Sequence, residues 1–397
     1  MNNMRKSIAN RHILQTMLLG LALAVSFTSC LDNDDETIIL ETPVNSTGIP
    51  DDALADPNPV LEDDPTTNVP NIQTTLDYID DVPIIRIDMT GVKNAESTDW
   101  LRLYGTGSSE QNIWVEVDDV PKGIDVYNNS DKSEGRTIMT DVVFAVDNSG
   151  SMSEEADAIA RDIISWSQQL ANSGLSVRFG IVGYDGRITG GIDMTTAEEL
   201  EKFLNYGSGT SRTMHFSNNR TDWSTLASRY FLNNSMDECG VAAIRLADEN
   251  FNFRTGANRV YVNFTDEPNF PTSKSNFSVK YFESQDNWAA AQGTVHTVYS
   301  SSKFESNSWN VREQPWLVSE YTGGTTIFAS SNFSGVTLAS LPVTGAMENS
   351  YIIRFTNVEE IFDGLPHTVK ITVKSAGNGG EILADKEYEI TFVKSEE

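Results

Sequence analysis

Between residues 140 and 331, continuous apolar strands alternate with amphipathic helices, and this alternation limits the fold more than any other feature of the chain. TDVVFAV (140–146), SVRFGIVGY (176–184) and RVYVNF (259–264) are apolar runs, which is typical of strands buried on both faces of a sheet. The segment between the first two, 154–174, has apolar residues at helical spacing. This order predicts an α/β, doubly wound, mostly parallel sheet covered on both sides.

Further elements continue the same order toward the end of this region. Helices are predicted at TTAEELEKFL (195–204), DECGVAAIRLADEN (237–250) and NWAAAQ (287–292), and strands at TVHTVY (294–299) and TTIFAS (325–330). We therefore expect one Rossmann-like domain over residues 137–335.

The regions on either side of this domain have the pattern of half-buried strands. NIWVEVDDV (112–120) and HTVKITVK (367–374) alternate apolar with polar residues, which favours antiparallel strands with one face in a core. We expect the N-terminal arm, 76–136, and the C-terminal arm, 336–397, to pair with each other into one small β-sandwich.

The first 30 residues predict a processed leader rather than a folded element. Three basic residues precede the apolar run MLLGLALAVSF (17–27), which is too short to span a bilayer. Cys30 follows small residues, and the segment resembles a bacterial lipoprotein signal in which Cys30 is acylated. The alternative is an ordinary secretory signal with a chance cysteine.

Residues 31–75 are rich in acidic residues and proline and contain no Lys or Arg. Such a segment predicts an extended, disordered tether. Its first residues, LDNDDE, also resemble the export signal of surface-exposed lipoproteins, which implies an outer-membrane lipoprotein facing the cell surface of a Gram-negative bacterium. The alternative is that LDNDDE is simply the start of a solvated linker.

The net charge argues against polyanionic partners. The chain has 57 Asp and Glu against 28 Lys and Arg, a formal charge of −29, so nucleic acid and anionic membrane surfaces repel it. We expect contact with a membrane only through the lipid at Cys30, and a partner that is an extracellular or cell-surface protein or glycan.

Oxygen-bearing side chains are predicted to meet at one edge of the central sheet. Asp147 ends the first strand and is followed by Ser149 and Ser151, while Asp266 ends a later strand. In a 3-2-1-4-5-6 strand order these two strands are neighbours, and Asp237 opens a helix directed at the same crevice. Carboxylates and hydroxyls without thiol or imidazole predict a site for Mg²⁺, Mn²⁺ or Ca²⁺.

Four segments between 136 and 331 together resemble the metal-ion-dependent adhesion site of von Willebrand factor type A domains. They are DNSGS (147–151), TD (265–266) after an apolar strand, GRITGGIDMTTAEEL (186–200) and YTGGTTIF (321–328). The resemblance implies that Asp147, Ser149, Ser151 and Asp266 are metal ligands. It also implies that Asp237 stands where most members have threonine, as in hemicentin-like members.

Each of these residues also has a purely structural interpretation. Ser151 and Glu154 fit a capping box, Asp237 fits a helix N-cap, and Asp266 fits a turn before Pro268. None of the three explains why these residues share one end of the sheet.

Aromatic residues are concentrated in two long segments expected to border this site, 206–235 and 300–316. Phe216, Trp223, Tyr230 and Trp309 are therefore candidate ligand contacts. The alternative is that they cover an edge of the sheet.

The sequence favours a binding protein over an enzyme. The four histidines are scattered, and no nucleophile elbow, Walker loop or GxGxxG motif is present. We expect a surface-anchored protein that engages its partner through a divalent cation. The alternative is a structural subunit of a surface complex or filament, in which the metal only stabilises the fold.

Overall fold

The computed structural model describes residues 46–59, 68, 70–94, 99–131, 138–173, 175–230, 238–271, 275–300, 312–333, 337–363, 365–374 and 382–391. Cys30 and the predicted leader lie outside these residues. In chain order the strands and α-helices are β1 Ile72–Ile79, β2 Val82–Met89, β3 Ile113–Val117, β4 Val120–Pro121, β5 Asp125–Asn128, β6 Met139–Asp147, α1 Ala156–Ala171, β7 Ser176–Tyr184, β8 Ile188–Thr195, α2 Ala197–Leu204, α3 Trp223–Arg229, α4 Gly240–Asn250, β9 Asn258–Thr265, β10 Thr294–Tyr299, α5 Leu317–Thr322, β11 Thr326–Phe328, α6 Pro342–Glu348, β12 Tyr351–Phe355, β13 Pro366–Lys374 and β14 Ile382–Thr391.

The central sheet has six strands in the order β11-β10-β9-β6-β7-β8. Numbered within the sheet this is 3-2-1-4-5-6 read from β8, with every pair parallel except β7 and β8. Strand β6 lies between β7 and β9, so Asp147 pairs with Tyr184 and Val146 with Phe264. The prediction of a mixed α/β fold with a mostly parallel sheet is confirmed.

Side chains of the central strand β6 alternate between the two faces of the sheet. Val142 and Phe144 belong to a hydrophobic cluster that includes residues of α1 and α2, whereas Val143 and Ala145 belong to one that includes residues of α3, α4 and α5. Because both faces of the sheet are covered, the middle of this strand, residues 142–146, is apolar on both sides.

The structure differs from the predicted elements at several places. Strand β8 and helices α3, α5 and α6 were not predicted, and the helix expected at NWAAAQ is a 3₁₀ turn over Ala290–Gln292. Strand β8 contains Gly190 and Gly191 because another part of the chain crosses it closely. A Cβ on Gly190 would lie 2.0 Å from the carbonyl oxygen of Thr213. The edge of β8 is covered there by a parallel bridge between Gly191 and Phe216.

Strands from both arms pair in two further four-stranded sheets, with orders β1-β2-β12-β5 and β14-β13-β3-β4. In the first sheet β12 of the C-terminal arm lies between β2 and β5, and in the second β13 lies between β14 and β3. Buried residues of both sheets belong to one hydrophobic cluster. Their arrangement as a sandwich remains a prediction.

The tether predicted over 31–75 differs from the structure at 46–59 and again from Ile72 onward. Within 46–59 Ile49 is buried, and the Asp52 carboxylate accepts the backbone N–H of Gly123 at 3.0 Å. A Cβ on Gly123 would lie 2.3 Å from the carbonyl oxygen of Pro50, so glycine permits this segment to lie against the chain between β4 and β5. Strand β1 also begins before the expected end of the tether.

Across the described segments, no helix has both the length and the hydrophobicity needed to cross a bilayer.

Candidate functional site

The loop after β6 carries the first three predicted site residues in a tight turn. The Asp147 side chain, only 1% exposed, accepts the backbone N–H of Ser149 through Oδ1 at 2.9 Å. A short 3₁₀ helix, Gly150–Ser153, follows. Helix α1 begins beyond it with Glu155 as N-cap and no side-chain cap bond, so Ser151 does not cap this helix and the capping-box interpretation is not supported.

Hydroxyl groups connect this loop to the end of β9. The Oγ atoms of Ser149 and Ser151 are 2.9 Å apart, and Ser151 Oγ donates to Oδ1 of Asp266 at 3.0 Å. Thr265 Oγ1 donates to Oδ2 of Asp147 at 2.8 Å, which completes the connection between the two strands. The structure therefore brings together four of the five predicted residues, Asp147, Ser149, Ser151 and Asp266. Thr265 was not predicted.

Asp237, the fifth predicted residue, lies outside the described residues. Helix α4 starts at Gly240 with Cys239 as N-cap, three residues later than the sequence pattern predicted. Cys239 is buried, as expected for a structural cysteine.

The carboxylates at this edge repel one another. Burial, and less strongly the charge of Asp266, raise the pKa of Asp147 to about 7 despite the hydrogen bonds from Ser149. Burial and then the charge of Asp147 raise the pKa of Glu238 to about 8, with smaller contributions from Glu267 and Asp266. A positive charge placed here would relieve this repulsion.

Asn148 fixes the position of the loop, a role that the sequence did not reveal. Its backbone N–H donates to the carbonyl of Tyr184 at 2.8 Å. Its buried side-chain amide donates to Thr189 Oγ1 at 2.6 Å and to Thr213 Oγ1 at 3.1 Å. Asn148 thus bonds the loop to β8 and to the 3₁₀ helix Gly209–Thr213.

A second unpredicted contact joins helix α1 to strand β10 at the same edge. Ser300 Oγ, just past β10, donates to Oε1 of the buried Glu155 at 2.8 Å. Burial raises the pKa of Glu155, opposed by this hydrogen bond. Four consecutive strands of the sheet, β7, β6, β9 and β10, therefore end in polar contacts with one another or with the loop.

The aromatic residues predicted as ligand contacts do not all face the solvent. Trp223 and Tyr230 are 4% and 5% exposed and belong to the core cluster under α3 and α4, the position expected if this segment covers the sheet. Phe216 is half-buried and stacks on Trp223, with ring centroids 5.1 Å apart. Trp309 lies outside the described residues.

The donor set has the chemistry of a hard divalent cation. Asp147, Ser149, Ser151 and Asp266 offer oxygen atoms alone, and hydroxyl and carboxylate oxygens suit Mg²⁺, Mn²⁺ or Ca²⁺. No group of three or more His, Cys, Asp or Glu side chains placed to hold a metal ion occurs within the described part of the chain; of the three predicted carboxylates, that part contains two.

No protein-family model matches the sequence, and no curated protein matches it. Among solved structures, the pilus adhesin SpaC from Lactobacillus rhamnosus GG matches at 10% identity and a TM-score of 0.32, over 83% of this chain and 48% of that one. A manganese-loaded TRAP protein of Plasmodium vivax matches at 12% identity and a TM-score of 0.30, over 69% of this chain and 99% of that one. The chain thus spans about half the length of SpaC. Scores this low do not establish a shared fold, and the function has to be inferred from the side chains.

Proposed function

We propose that the chain is a surface-anchored binding protein that holds a divalent cation at the carboxyl ends of β6 and β9 and engages an extracellular partner there. The resemblance of residues 136–331 to von Willebrand factor type A domains supports this proposal, as does the 3-2-1-4-5-6 order of the central sheet. We propose Mg²⁺ as the physiological ion, with Mn²⁺ or Ca²⁺ as substitutes.

The observation that carries the proposal is the hydrogen bond from Ser151 Oγ to Asp266 Oδ1 at 3.0 Å. These residues are 115 positions apart in the sequence. The bond between them is not part of any helix or strand. Together with Asp147 they concentrate carboxylate and hydroxyl oxygens at one edge of the sheet. A fold gains nothing from such repulsion unless a cation compensates it.

The residues of the chain have separable tasks in this proposal. Asp147 and Asp266 supply negative charge, and the two serines supply neutral oxygens. Thr265 orients the Asp147 carboxylate from one side and the Ser149 amide orients it from the other. A bound cation would supply an open coordination position for an oxygen atom of the partner.

The direct test is calorimetric titration of Mg²⁺ and Mn²⁺ into the full chain after removal of metal with EDTA. We expect one binding event in the parent protein and a loss of at least about 100-fold in affinity in Asp147→Asn and Asp266→Asn, since outer partners alone cost 10–100-fold. The exposed Asp286 provides the matched control, and Asp286→Asn should bind like the parent. Equal affinity in the site variants, with unchanged circular dichroism, would overturn the proposal.

The anchor and the partner need a separate experiment. We propose acylation at Cys30, a position on the outer surface of a Gram-negative cell, and a protein or glycan partner. Radiolabelled palmitate should enter the parent and not Cys30→Ser, and externally added protease should remove the protein from intact cells. A pull-down from surface-labelled cells should recover the partner in Mg²⁺ and lose it in EDTA.

The second candidate is a structural subunit of a surface complex or filament. The observation that favours it is the mutual bonding of the loops at the site, through Asn148 and Glu155, which a structural metal would reinforce. A partner that stays bound in EDTA, while the protein remains folded, would favour this assembly role over adhesion.

A further inference from the structure

A groove with a volume of about 570 Å³ lies beside the candidate metal site. It is lined by Asp185 and Arg187 of the turn before β8, by the start of β8, by Met214 and Phe216, and by Ala227 and Ser228 near the end of α3. Thr189 lines this groove and also accepts a hydrogen bond from the side-chain amide of Asn148. Asn148 directly follows Asp147, so a single residue connects the groove lining to the candidate site. Its volume is within the range of small-ligand pockets and suits one or two side chains rather than a domain face.

The apolar residues that line the groove are Ile188, Met214, Phe216 and Ala227. Phe216 forms a parallel bridge with Gly191 of β8 and stacks on the buried Trp223. Met214 is 42% exposed and lies at the C-cap of the 3₁₀ helix Gly209–Thr213. A thioether beside a fixed aromatic ring adapts to apolar side chains of different shapes.

The rim of the groove offers one positive charge. The Asp185 carboxylate accepts the backbone N–H of Arg187 at 3.0 Å, so one of its oxygens is already used within the turn. The Arg187 side chain is exposed, and its guanidinium forms no ion pair within the described segments. The lining thus holds one carboxylate, partly used within the turn, and one guanidinium that is unpaired in the described part of the chain, and in a chain with a formal charge of −29 that guanidinium favours an anionic group of a partner.

We propose that this groove binds a peptide segment of the partner protein in which a bulky apolar residue lies next to an acidic residue. The apolar side chain fills the space between Met214 and Phe216, and the carboxylate pairs with Arg187. This proposal rests on the proposed function, because it identifies the partner as a protein and places part of its contact surface next to the cation.

Selection of phage-displayed random peptides on the immobilised full chain in Mg²⁺ tests the proposal. We expect enriched peptides to share an acidic residue beside a bulky apolar residue. The synthetic form of such a peptide should bind the parent and lose about tenfold or more in affinity to Arg187→Glu and to Met214→Asp, by loss of a charge-assisted contact and of the apolar contact respectively.

Two controls match these variants. Arg229→Glu changes an exposed arginine on α3 that does not line the groove, and Leu365→Asp changes an exposed apolar residue near β13; both should bind the peptide like the parent. Failure to enrich any peptide, enrichment without the acidic–apolar pair, or equal binding to Arg187→Glu and Met214→Asp would each overturn the proposal.

Repeating the binding measurement in EDTA and with Asp147→Asn separates this proposal from the proposed function. Peptide binding that needs both Arg187 and Asp147 supports both. Binding that is lost in Arg187→Glu but persists in EDTA and in Asp147→Asn supports the groove and counts against metal-dependent binding.

Discussion

The two ends of strand β6 each carry a buried aspartate, and the two aspartates have different partners. At the amino end, Asp141 is 0% exposed and accepts two N–H groups of the Arg254 guanidinium at 2.6 and 2.8 Å. At the carboxyl end, Asp147 accepts a backbone N–H and the Thr265 hydroxyl. No Lys, Arg or His in the described part of the chain bonds to it.

This difference separates a carboxylate that stabilises the fold from one available to bind something else. The Arg254 guanidinium also donates to Ser176 Oγ and to the carbonyl of Thr140, so the ion pair at the amino end is fully hydrogen-bonded. At the carboxyl end the chain supplies hydroxyls where a cation would be needed to compensate the charge. The charge at the first end is compensated within the chain, and the proposed cation would compensate the charge at the second.

Removing the cation at the amino end should have the largest effect. In Arg254→Met the Asp141 carboxylate stays buried without a partner, so we expect the free energy of unfolding to fall by about 3–5 kcal/mol. Urea denaturation followed by circular dichroism measures this loss.

The double variant Asp141→Leu, Arg254→Met is the control for that experiment. Removing both charges should recover most of the lost stability, because replacing a buried pair by apolar residues is often neutral. If the single variant is as stable as the parent, Arg254 is not what compensates Asp141 and the contrast between the two ends is lost.

The opposite result is expected at the carboxyl end. In EDTA, Asp147→Asn should be at least as stable as the parent, because it removes a buried charge that has no cationic partner. In Mg²⁺ at 100 times its dissociation constant the parent should gain about 2.7 kcal/mol, and the variant should gain none. Thermal unfolding with and without Mg²⁺ measures both; a destabilised variant in EDTA would assign Asp147 a structural role.

The neighbouring positions of β6 and β9, on the assumed strand order, and the convergence of four site residues could be predicted because both follow from long-range rules. Apolar runs identified β6 and β9, and the carboxyl ends of neighbouring parallel strands lie at one edge. Asp147 ends β6 and Asp266 directly follows β9, so their proximity required no knowledge of the loops.

The contacts that were missed depend on the path of one irregular segment. Strand β8 was not predicted, and its Gly190 has no Cβ where the carbonyl of Thr213 crosses the strand. The side-chain amide of Asn148 finds a partner in the same segment, because it donates to Thr213. Neither periodicity nor composition predicts where such a segment runs, and the docking of 46–59 through Asp52 was missed for the same reason.

A substitution at Asp237, the predicted ligand outside the described residues, tests how many carboxylates contribute to the charge at the carboxyl end. Asp237→Thr removes one negative charge, so we expect Mg²⁺ to bind about tenfold more weakly, a loss of about 1.4 kcal/mol. Calorimetric titration measures the change, and Asp286→Thr, at an exposed position, controls for the general charge of the protein. Unchanged affinity would mean that Asp237 does not face the cation.

The smallest effect is expected from His367 and its two exposed carboxylate partners in the flanking region, which test whether burial sets the size of these effects. His367 Nδ1 lies 2.6 Å from Asp118 Oδ2 and Nε2 lies 3.0 Å from Asp363 Oδ1. The Asp118 hydrogen bond, and then that of Asp363, raise the pKa of His367 above its ordinary value. The stabilisation is therefore complete below about pH 6.5, the unfolded value, and is lost as the pH rises through the raised pKa.

The two carboxylates are 50% and 43% exposed, so we expect the protonated imidazole to contribute no more than about 1 kcal/mol to the free energy of unfolding. Urea unfolding of the parent and His367→Gln should differ more at pH 5.5 than at pH 9, and a difference independent of pH would show that the imidazole contributes by packing alone.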